Sequence, residues 1–512
     1  MAISRSEIPL RRHISRISKL LMTLKLIRCL FVLSLVLATG CSSIFTARSQ
    51  KEGLMAAYTS GNLEESVKIV DEMSEKRSGT GDELMWRLEQ GKIKFDAGDY
   101  KGSLTAFEKC EALIKEFDDR AAINAREAGA ETGSAFTNQN ALPYKGFNYD
   151  RILLNTYKAL DYFALGNVSD ANVELRRAYE RQKEAEKKFA DEIKKQEEEN
   201  KKEGTNAGKP VTFEGLENEH PELKKSFDDM KSKSNKTYGS LMNPFVTYMS
   251  GIRYLLDKNY PEADVDFRNL YKMDVENPLA QQYYVTTSQY MANKIPKELA
   301  DVKPFSYPLN TNTVFVIFEN GLAPALKEQK IQIILPTGYS GIAYSDLEYF
   351  PASTGNLKIT DSAENSFKTV TISAMDSVVS QEYKDIFPGM ITRLVISTII
   401  KEGASAAAEV AAWQVGGTGG VVAVVGTVIA TSAYKYAFNT ADTRCWQTLP
   451  REYQVAQLPR PSDGKLKLSA VSPDGTMTSV EPIEVKVEKN RAIIHVRQSG
   501  QGNIAVRVFE FE

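Results

Sequence analysis

The stretch RILLNTYKALDYFALGNVSDANVELRRAYER, residues 151–181, decides the fold of the first half of this 512-residue chain. Apolar residues recur at spacings of three and four on both sides of Gly166-Asn167, which predicts two amphipathic helices joined by a tight turn. The positions that a packed helical pair requires are filled by Ala159, Tyr162, Gly166, Ala171, Leu175 and Ala178. The stretch therefore predicts a helical hairpin.

The same offsets recur elsewhere in the chain. Further copies are formed by Gly251, Tyr254, Ala263, Phe267 and Leu270 with the turn Lys258-Asn259-Tyr260-Pro261, by Gly91, Gly98-Asp99-Tyr100, Phe107 and Cys110, and, less completely, by Gly61-Asn62, Val70 and Met73. The turns at Gly61, Gly98 and Gly166 lie 37 and 68 residues apart, close to one and two lengths of the tetratricopeptide repeat. We expect 53–303 to form a tetratricopeptide-like α-solenoid, in which these side chains pack and a concave groove binds partners.

Two segments interrupt the repeats. In a charged insertion at 182–210, Lys and Glu alternate in blocks, which predicts a solvated helical extension that ends in a flexible linker. A coiled-coil arm is the alternative, but a sustained apolar seam is missing. A long loop is expected at 127–148, where three aromatic residues either anchor the loop, the reading we favour, or meet a partner. These are Tyr144, Phe147 and Tyr149.

Strand patterns replace helical ones after Pro304. Alternation or β-branched enrichment predicts strands at 313–318, 330–335, 368–374, 465–471, 483–487, 492–496 and 504–509. We expect a β-rich domain at 304–460 and a small antiparallel, sandwich-like module at 461–512. The fold class is thus a multidomain chain, α followed by α+β. A sugar-binding role for the last module is poorly supported because it contains no tryptophan.

An apolar helical hairpin is predicted inside the β-rich domain, at 385–440. It is entered through Phe387-Pro388-Gly389 and divided by the glycine-rich stretch 416–420. Val410 to Tyr434 carries no charge, and by length alone this run spans a bilayer, which needs about 20 apolar residues. The glycines favour two short arms, at 404–438, packed on the protein's own sheet or on a subunit partner; contact with lipid and a true span are the alternatives. In the exit segment, Asp442 and Arg444 are expected to pair.

The segment Leu37-Ala38-Thr39-Gly40-Cys41 reads as a lipobox after a basic and an apolar region. We expect 1–40 to be a lipoprotein signal peptide, with Met22 as the compact start, and Cys41 to carry lipid such as palmitate. Residues 41–52 would then be a lipidated tether. The absence of Asp after Cys41 matches sorting to the outer membrane, facing the periplasm, in a Gram-negative cell.

The balance of charged residues and the small number of Cys and His argue against several functions. Beyond residue 40 the chain has 57 Lys and Arg against 65 Asp and Glu, which disfavours nucleic acid as a partner. Cys110 and Cys445 form neither a disulfide framework nor a zinc motif, and Cys110 reads as a buried packing residue. His220 and His495 lack an accompanying nucleophile motif, and His495 lies in a predicted strand. We therefore predict no catalytic, cofactor or metal site, and keep an envelope hydrolase only as a minor alternative.

Several segments resemble an uncharacterised family of bacterial lipoproteins with tetratricopeptide repeats. They are YDRILLNTYKALDYFALGNVSDANVELRRAYERQ (149–182), NPFVTYMSGIRY (243–254), the Phe387-Pro388-Gly389-Met390 entry and the 441–446 exit. The resemblance implies an envelope protein, and it carries no established reaction, cofactor or catalytic residue.

Two functions follow as hypotheses. The first is a lipid-anchored, non-catalytic scaffold of the cell envelope that binds other envelope proteins through the repeat groove. The alternative is a component of an envelope transport or secretion assembly, in which the apolar hairpin contacts membrane or oligomerises.

Overall fold

A computed structural model describes most of the chain. The described residues are 47–127, 142–206, 211–414, 440–500 and 504–511, apart from short gaps at 235–237, 240, 336–337, 353, 477 and 479–480. The predicted signal peptide, Cys41, residues 128–141 of the predicted loop and the predicted second arm of the hairpin lie outside these residues.

The first part of the described chain is helical and the second part is rich in strands, as predicted for an α region followed by α+β. The helices are α1 (Ala47–Thr59), α2 (Leu63–Lys76), α3 (Glu83–Ala97), α4 (Tyr100–Glu127), α5 (Asn148–Ala164), α6 (Val168–Asn206), α7 (Phe213–Glu219), α8 (Pro221–Lys233), α9 (Pro244–Leu256), α10 (Tyr260–Met273), α11 (Pro278–Tyr290) and, within the strand-rich part, α12 (Met375–Gln414).

Four helical hairpins close with the same turn. A residue one or two positions beyond the end of the first helix takes a positive φ, which is 80° at Gly61, 89° at Gly98, 74° at Gly166 and 59° at Lys258. The next residue donates its backbone N–H to the carbonyl five residues earlier, over 2.8–3.0 Å. This bond closes the helix end, and glycine adopts the left-handed conformation without the Cβ clash that other residues suffer. The residues that donate are Asn62, Asp99, Asn167 and Asn259.

Within a hairpin, a small residue on the first helix lets an aromatic ring of the second approach. A Cβ added to Gly91 would lie 2.4 Å from the Phe107 ring, and one on Gly251 would lie 2.7 Å from the Phe267 ring. Both pairs are 16 residues apart, like Ala159 and Leu175. This recurrence agrees with the repeat pattern in the sequence, whereas stacking into a tetratricopeptide solenoid stays a prediction.

The strands form two sheets and one ribbon. They are β1 (Thr313–Asn320), β2 (Ala325–Leu335), β3 (Gly338–Glu348), β4 (Asn356–Asp361), β5 (Ser366–Lys368), β6 (Val370–Ala374), β7 (Glu452–Pro459), β8 (Lys465–Val471), β9 (Ile483–Lys486), β10 (Arg491–Gln498) and β11 (Ala505–Phe511). The central sheet has the order β11-β10-β1-β7-β6, the outer sheet has the order β5-β4-β8-β9, and β2 pairs with β3 in the ribbon. The central pair β1–β10 is parallel, and its neighbours are antiparallel.

The central sheet is the middle layer of three. Strand β1 is buried along its whole length, and its side chains alternate between two cores because successive residues of a strand face opposite sides. Phe315 and Ile317 belong to the core shared with the helices. Val314, Val316 and Phe318 belong to the core shared with the outer sheet.

The last four strands differ from the predicted separate module at 461–512. β8 and β9 belong to the outer sheet, whereas β10 and β11 belong to the central sheet. Their partners β4 and β1 lie more than 100 residues earlier in the chain. Local alternation identifies a strand but carries no information about such distant pairing.

The range of the predicted tether overlaps a packed helix. Residues 47–52 belong to helix α1, and Lys51 is buried in the core. The reason is that Lys51 has a buried acidic partner on helix α3, which the sequence pattern does not show.

The charged insertion and the first arm of the predicted hairpin are two long helices that contact each other. Helix α6 continues to Asn206 and helix α12 begins ten residues earlier than the predicted hairpin. A Cβ on Gly389 would lie 2.6 Å from the Gln196 amide oxygen, and Asn200 donates to the Gly389 carbonyl over 2.8 Å. Gly389 thus allows a close crossing, and the extension is not simply solvated.

Among the described helices, none combines the length and apolarity needed to span a membrane.

We predict that Gly91→Ala destabilises the protein by about 1–3 kcal/mol, because the new methyl group overlaps the Phe107 ring. Gly53→Ala is the matched control, since a Cβ there meets nothing within 4 Å. Alanine should stabilise that exposed helical position by about 0.5–1 kcal/mol. Chemical denaturation measures both free energies of unfolding, and a shift of the same sign in both variants would contradict this packing.

Candidate functional site

The inner face of the helical hairpins is covered by the central sheet. Phe95 of α3 packs edge-on against Phe509 of β11, with ring centroids 6.2 Å apart. Tyr157 of α5 shares a hydrogen bond with the Tyr453 hydroxyl of β7 over 2.9 Å, and Phe245 of α9 stacks on the same ring at 4.1 Å. The surface that the sequence suggested as a partner-binding groove is therefore occupied by the protein's own strands in the described part of the chain.

The predicted repeat residues lie at helix contacts. Two groups are distinguished by burial: Gly91, Phe107, Ala159, Ala171, Gly251, Ala263 and Phe267 are buried, whereas Tyr162 and Tyr254 are half-buried. Gly98 and Gly166 form turns. Their roles are in packing and chain reversal.

A cluster of charged side chains lies at the boundary between helix α3 and the central sheet. The Lys92 ammonium lies 2.5 Å from a carboxylate oxygen of Asp96 and 2.9 Å from one of Glu319. His495 Nε2 lies 3.1 Å from the other oxygen of Glu319, and Arg497 Nε lies 3.9 Å from Asp96. All five side chains are buried. We call these five residues the core charge cluster.

The two cations neutralise the two carboxylates of this cluster. Burial by itself raises the pKa of Glu319, but attraction to Lys92, His495 and Arg497 outweighs burial and holds that pKa well below its usual range. Asp96, Glu319 and His495 also offer ligand atoms within 4.8 Å of one another, as in a metal site. The Lys92 ammonium occupies the place between the two carboxylates that a cation would take, so the cluster has the composition of a structural ion network.

The N-terminal helix joins the same boundary through two further contacts. The buried Lys51 ammonium lies 2.5 Å from Glu89 and donates to the Cys445 carbonyl over 2.7 Å. Glu89 also accepts the backbone N–H groups of Gln447 and Thr448. Helix α1, helix α3 and the exit segment of the predicted hairpin are thereby fixed to one another.

An open cavity of about 380 Å³ lies where the helices, the β2–β3 ribbon, helix α12 and the exit segment meet. We call it the junction cavity. It is lined by Tyr144, Lys145, Phe147, Gln196, Leu326, Ser345, Tyr383, Ile386, Met390, Asp442 and Arg444, together with 142, 143 and 146. Asp442 and Arg444 pair as predicted, through contacts of 2.6 and 2.8 Å. Such a cleft, largely apolar with a few polar groups, has the character of a binding site.

Two buried carboxylates beside this cavity cap the N-terminus of helix α5. Asp150 accepts from the Tyr144 hydroxyl over 2.5 Å and from the Phe147 N–H over 2.9 Å. Glu382 of helix α12 accepts the N–H groups of Asn148 and Tyr149. Burial raises the pKa of each carboxyl to about 7, although these hydrogen bonds lower it. The aromatic residues of the predicted loop therefore anchor it, as favoured from the sequence.

The extension of helix α6 separates two further grooves. On one side, a space of about 420 Å³ is lined mainly by charged side chains, including Arg181, Lys188 and Glu192. On the other side, a space of about 480 Å³ has Phe189 and Ile193 in its wall, with charged residues at its rim. We call residues 182–206 the arm, and it presents different chemistry on its two sides.

The core charge cluster and the capping carboxylate of α12 were missed from the sequence. A signal for the cluster exists, because Glu319, His495 and Arg497 interrupt otherwise apolar strands at inward-facing positions. Lys92 and Asp96 also stand four residues apart on one helix face. No comparable signal exists for Glu382, whose partners lie 233 and 234 residues away.

We predict that Lys92→Met destabilises the protein by about 3–5 kcal/mol, because it leaves two buried carboxylates short of a cation. Lys101→Met, on the exposed face of helix α4, should change stability by less than about 0.5 kcal/mol. Urea denaturation of both variants provides the measurement. Equal effects at the two positions would show that the cluster does not stabilise the fold.

We also predict a pH effect from Glu382. Its pKa of about 7 in the folded protein exceeds the ordinary value of 4.5, so the folded state binds an extra proton between these values. The contribution of Glu382 to the free energy of unfolding is therefore fully present below about pH 4.5, and it is lost as the pH rises through 7. Glu382→Gln should flatten this fall in the free energy of unfolding, whereas Glu198→Gln on the exposed arm should not. An unchanged slope in Glu382→Gln would refute this origin.

Comparison with known proteins found no match to this chain among family models, curated proteins or solved structures. The lipoprotein family, the lipid anchor and the tetratricopeptide repeats stay predictions from the sequence.

Proposed function

We propose that this protein is a non-catalytic scaffold of the cell envelope, anchored by lipid on Cys41, that binds other envelope proteins along its arm. The observation that supports this proposal most directly is that the central sheet covers the inner face of the helices, while two open grooves lie along the arm. The helical hairpins, stacked as tetratricopeptide-like repeats in this proposal, then serve as the support for the sheet and the arm.

The position of helix α1 supports an attachment close to the membrane. Only residues 42–46 separate Cys41 from Ala47, so six residue steps span at most about 20 Å. Lys51, only four residues beyond the start of α1, is fixed by its buried pair with Glu89. In a lipidated protein, the body is therefore held close to the surface of the outer membrane.

The chemistry of the arm suits a protein partner. Phe189 and Ile193 are four residues apart and lie on one side of α6, where Phe227 and Pro388 complete an apolar wall. Charged side chains of both signs, such as Glu186 and Lys194, rim this wall. An apolar centre with a polar rim is the usual anatomy of a protein interface, and an amphipathic helix with apolar residues at spacings of three and four fits such a groove.

A binding role accounts for the titratable groups better than a catalytic one. The buried acids and bases described above are engaged in ion pairs and helix caps. Burial raises the pKa of the Cys110 thiol well above its ordinary value and that of Cys445 to about 11. Both thiols are thereby kept protonated near neutral pH, which opposes a nucleophilic role.

Site-specific photo-crosslinking in cells tests the proposal. We predict that a photoreactive amino acid in place of Lys194, at the rim of the apolar groove, forms a discrete adduct with an envelope protein. The same amino acid in place of Lys467, exposed on the outer sheet, is the control and should form none. Adducts at both positions, or at neither, would refute the arm as the partner-binding surface.

Ile193→Arg supplies an independent measurement. A charge in the apolar wall should reduce the yield of the Lys194 adduct at least about tenfold, because burying an unpaired charge costs more than 1.4 kcal/mol. The solvent-facing Glu198→Arg should preserve the adduct. Circular dichroism of both variants shows whether the fold is retained.

A further inference from the structure

The junction cavity is divided into an apolar part and a charged part. Phe147, Leu326, Ile386 and Met390 contribute the apolar walls, drawn from three separate segments of the chain, since Ile386 and Met390 share helix α12. The cavity volume of about 380 Å³ lies within the range of roughly 300–1,000 Å³ that small-molecule sites occupy. Its shape and lining therefore suit a ligand with an apolar body.

The charged part contains two cations, Arg444 and Lys145, in different environments. Arg444 is engaged with Asp442 over 2.6 Å and with Asp82 over 3.3 Å. Lys145 also lines the cavity, and among the described residues no carboxylate lies within ion-pair distance of its ammonium. A ligand carboxylate at this end would meet a cation that the fold leaves without a counter-charge.

The cavity also lies beside the start of the first described helix. The Arg48 backbone N–H donates to Thr443 Oγ1 over 3.3 Å, and Thr443 is flanked by the two cavity residues Asp442 and Arg444. Cys41 precedes Arg48 by only seven residues, about 25 Å at full extension. With the lipid anchor of the proposed function, the cavity is therefore within reach of the membrane surface.

We propose that the junction cavity binds a single-chain amphiphile with an anionic head, specifically a free fatty-acid carboxylate taken from the adjacent membrane. The acyl chain lies against Phe147, Leu326, Ile386 and Met390. The carboxylate pairs with Lys145 at the cavity mouth. The membrane source of the ligand depends on the lipid anchor, whereas the binding chemistry does not.

Calorimetric titration of palmitate, below its micellar concentration, into the chain from Ser42 to Glu512 tests this site, since that chain contains every described residue. We expect one saturable site. Lys145→Ala should weaken palmitate binding about tenfold, the loss expected for one charge-assisted hydrogen bond, and should leave binding of the uncharged hexadecanol unchanged. Lys101→Met is the control for loss of a lysine elsewhere and should change neither.

Ile386→Trp fills the cavity from a half-buried position and should abolish binding of both ligands. Absence of saturable binding by the wild-type chain, or undiminished binding by a folded Ile386→Trp variant, overturns the proposal. The proposal is also overturned if palmitate binds the soluble chain but does not bind the acylated protein in phospholipid nanodiscs. In that case the lipid attached to the protein itself fills the cavity. Mass spectrometry of Cys41 and crosslinking at Lys194 report on the proposed function separately from these titrations.

Discussion

The ammonium group of Lys92 lies between Asp96 of its own helix and Glu319 of the central sheet, with no exposure to solvent. Burying such a charge without partners costs many kcal/mol, so the helix and strand β1 must meet in an arrangement that supplies both carboxylates. Arg497 extends this network, because its guanidinium donates to the Tyr58 hydroxyl of α1 and to the Thr448 carbonyl. The ion network thus specifies how the helical part and the strands dock.

This docking determines where the molecule can meet other molecules. The inner helix faces, which are the natural binding surface of a helical repeat array, are used to hold the central sheet. The arm and the junction cavity lie outside that interface. Helix α1 is fixed to the same network, so the membrane anchor proposed for Cys41 keeps both surfaces near the membrane. Scaffold function and ligand binding are compatible in this arrangement because they use different surfaces.

The sequence predicted those features that depend on neighbouring residues. Gly98 and Gly166 identify helical hairpins because a left-handed turn is a local property, and the enrichment of β-branched residues in 313–318 identifies β1. Features that depend on distant residues were not predictable. The parallel pairing of β1 with β10, the missed strand β7 and the capping of α5 by Glu382 require tertiary proximity. The sequence pattern of the repeat was informative about helix packing but not about what covers its inner face.

The buried Lys92–Glu319 pair joins the helices to the central sheet. A double-mutant cycle with Lys92→Met, Glu319→Leu and the double variant measures this coupling directly through free energies of unfolding. We predict that the double variant is at least about 2 kcal/mol more stable than the sum of the single effects implies, because each single variant leaves the buried cluster with one uncompensated charge and the double variant restores the balance. Additivity to within about 0.5 kcal/mol would contradict the claim.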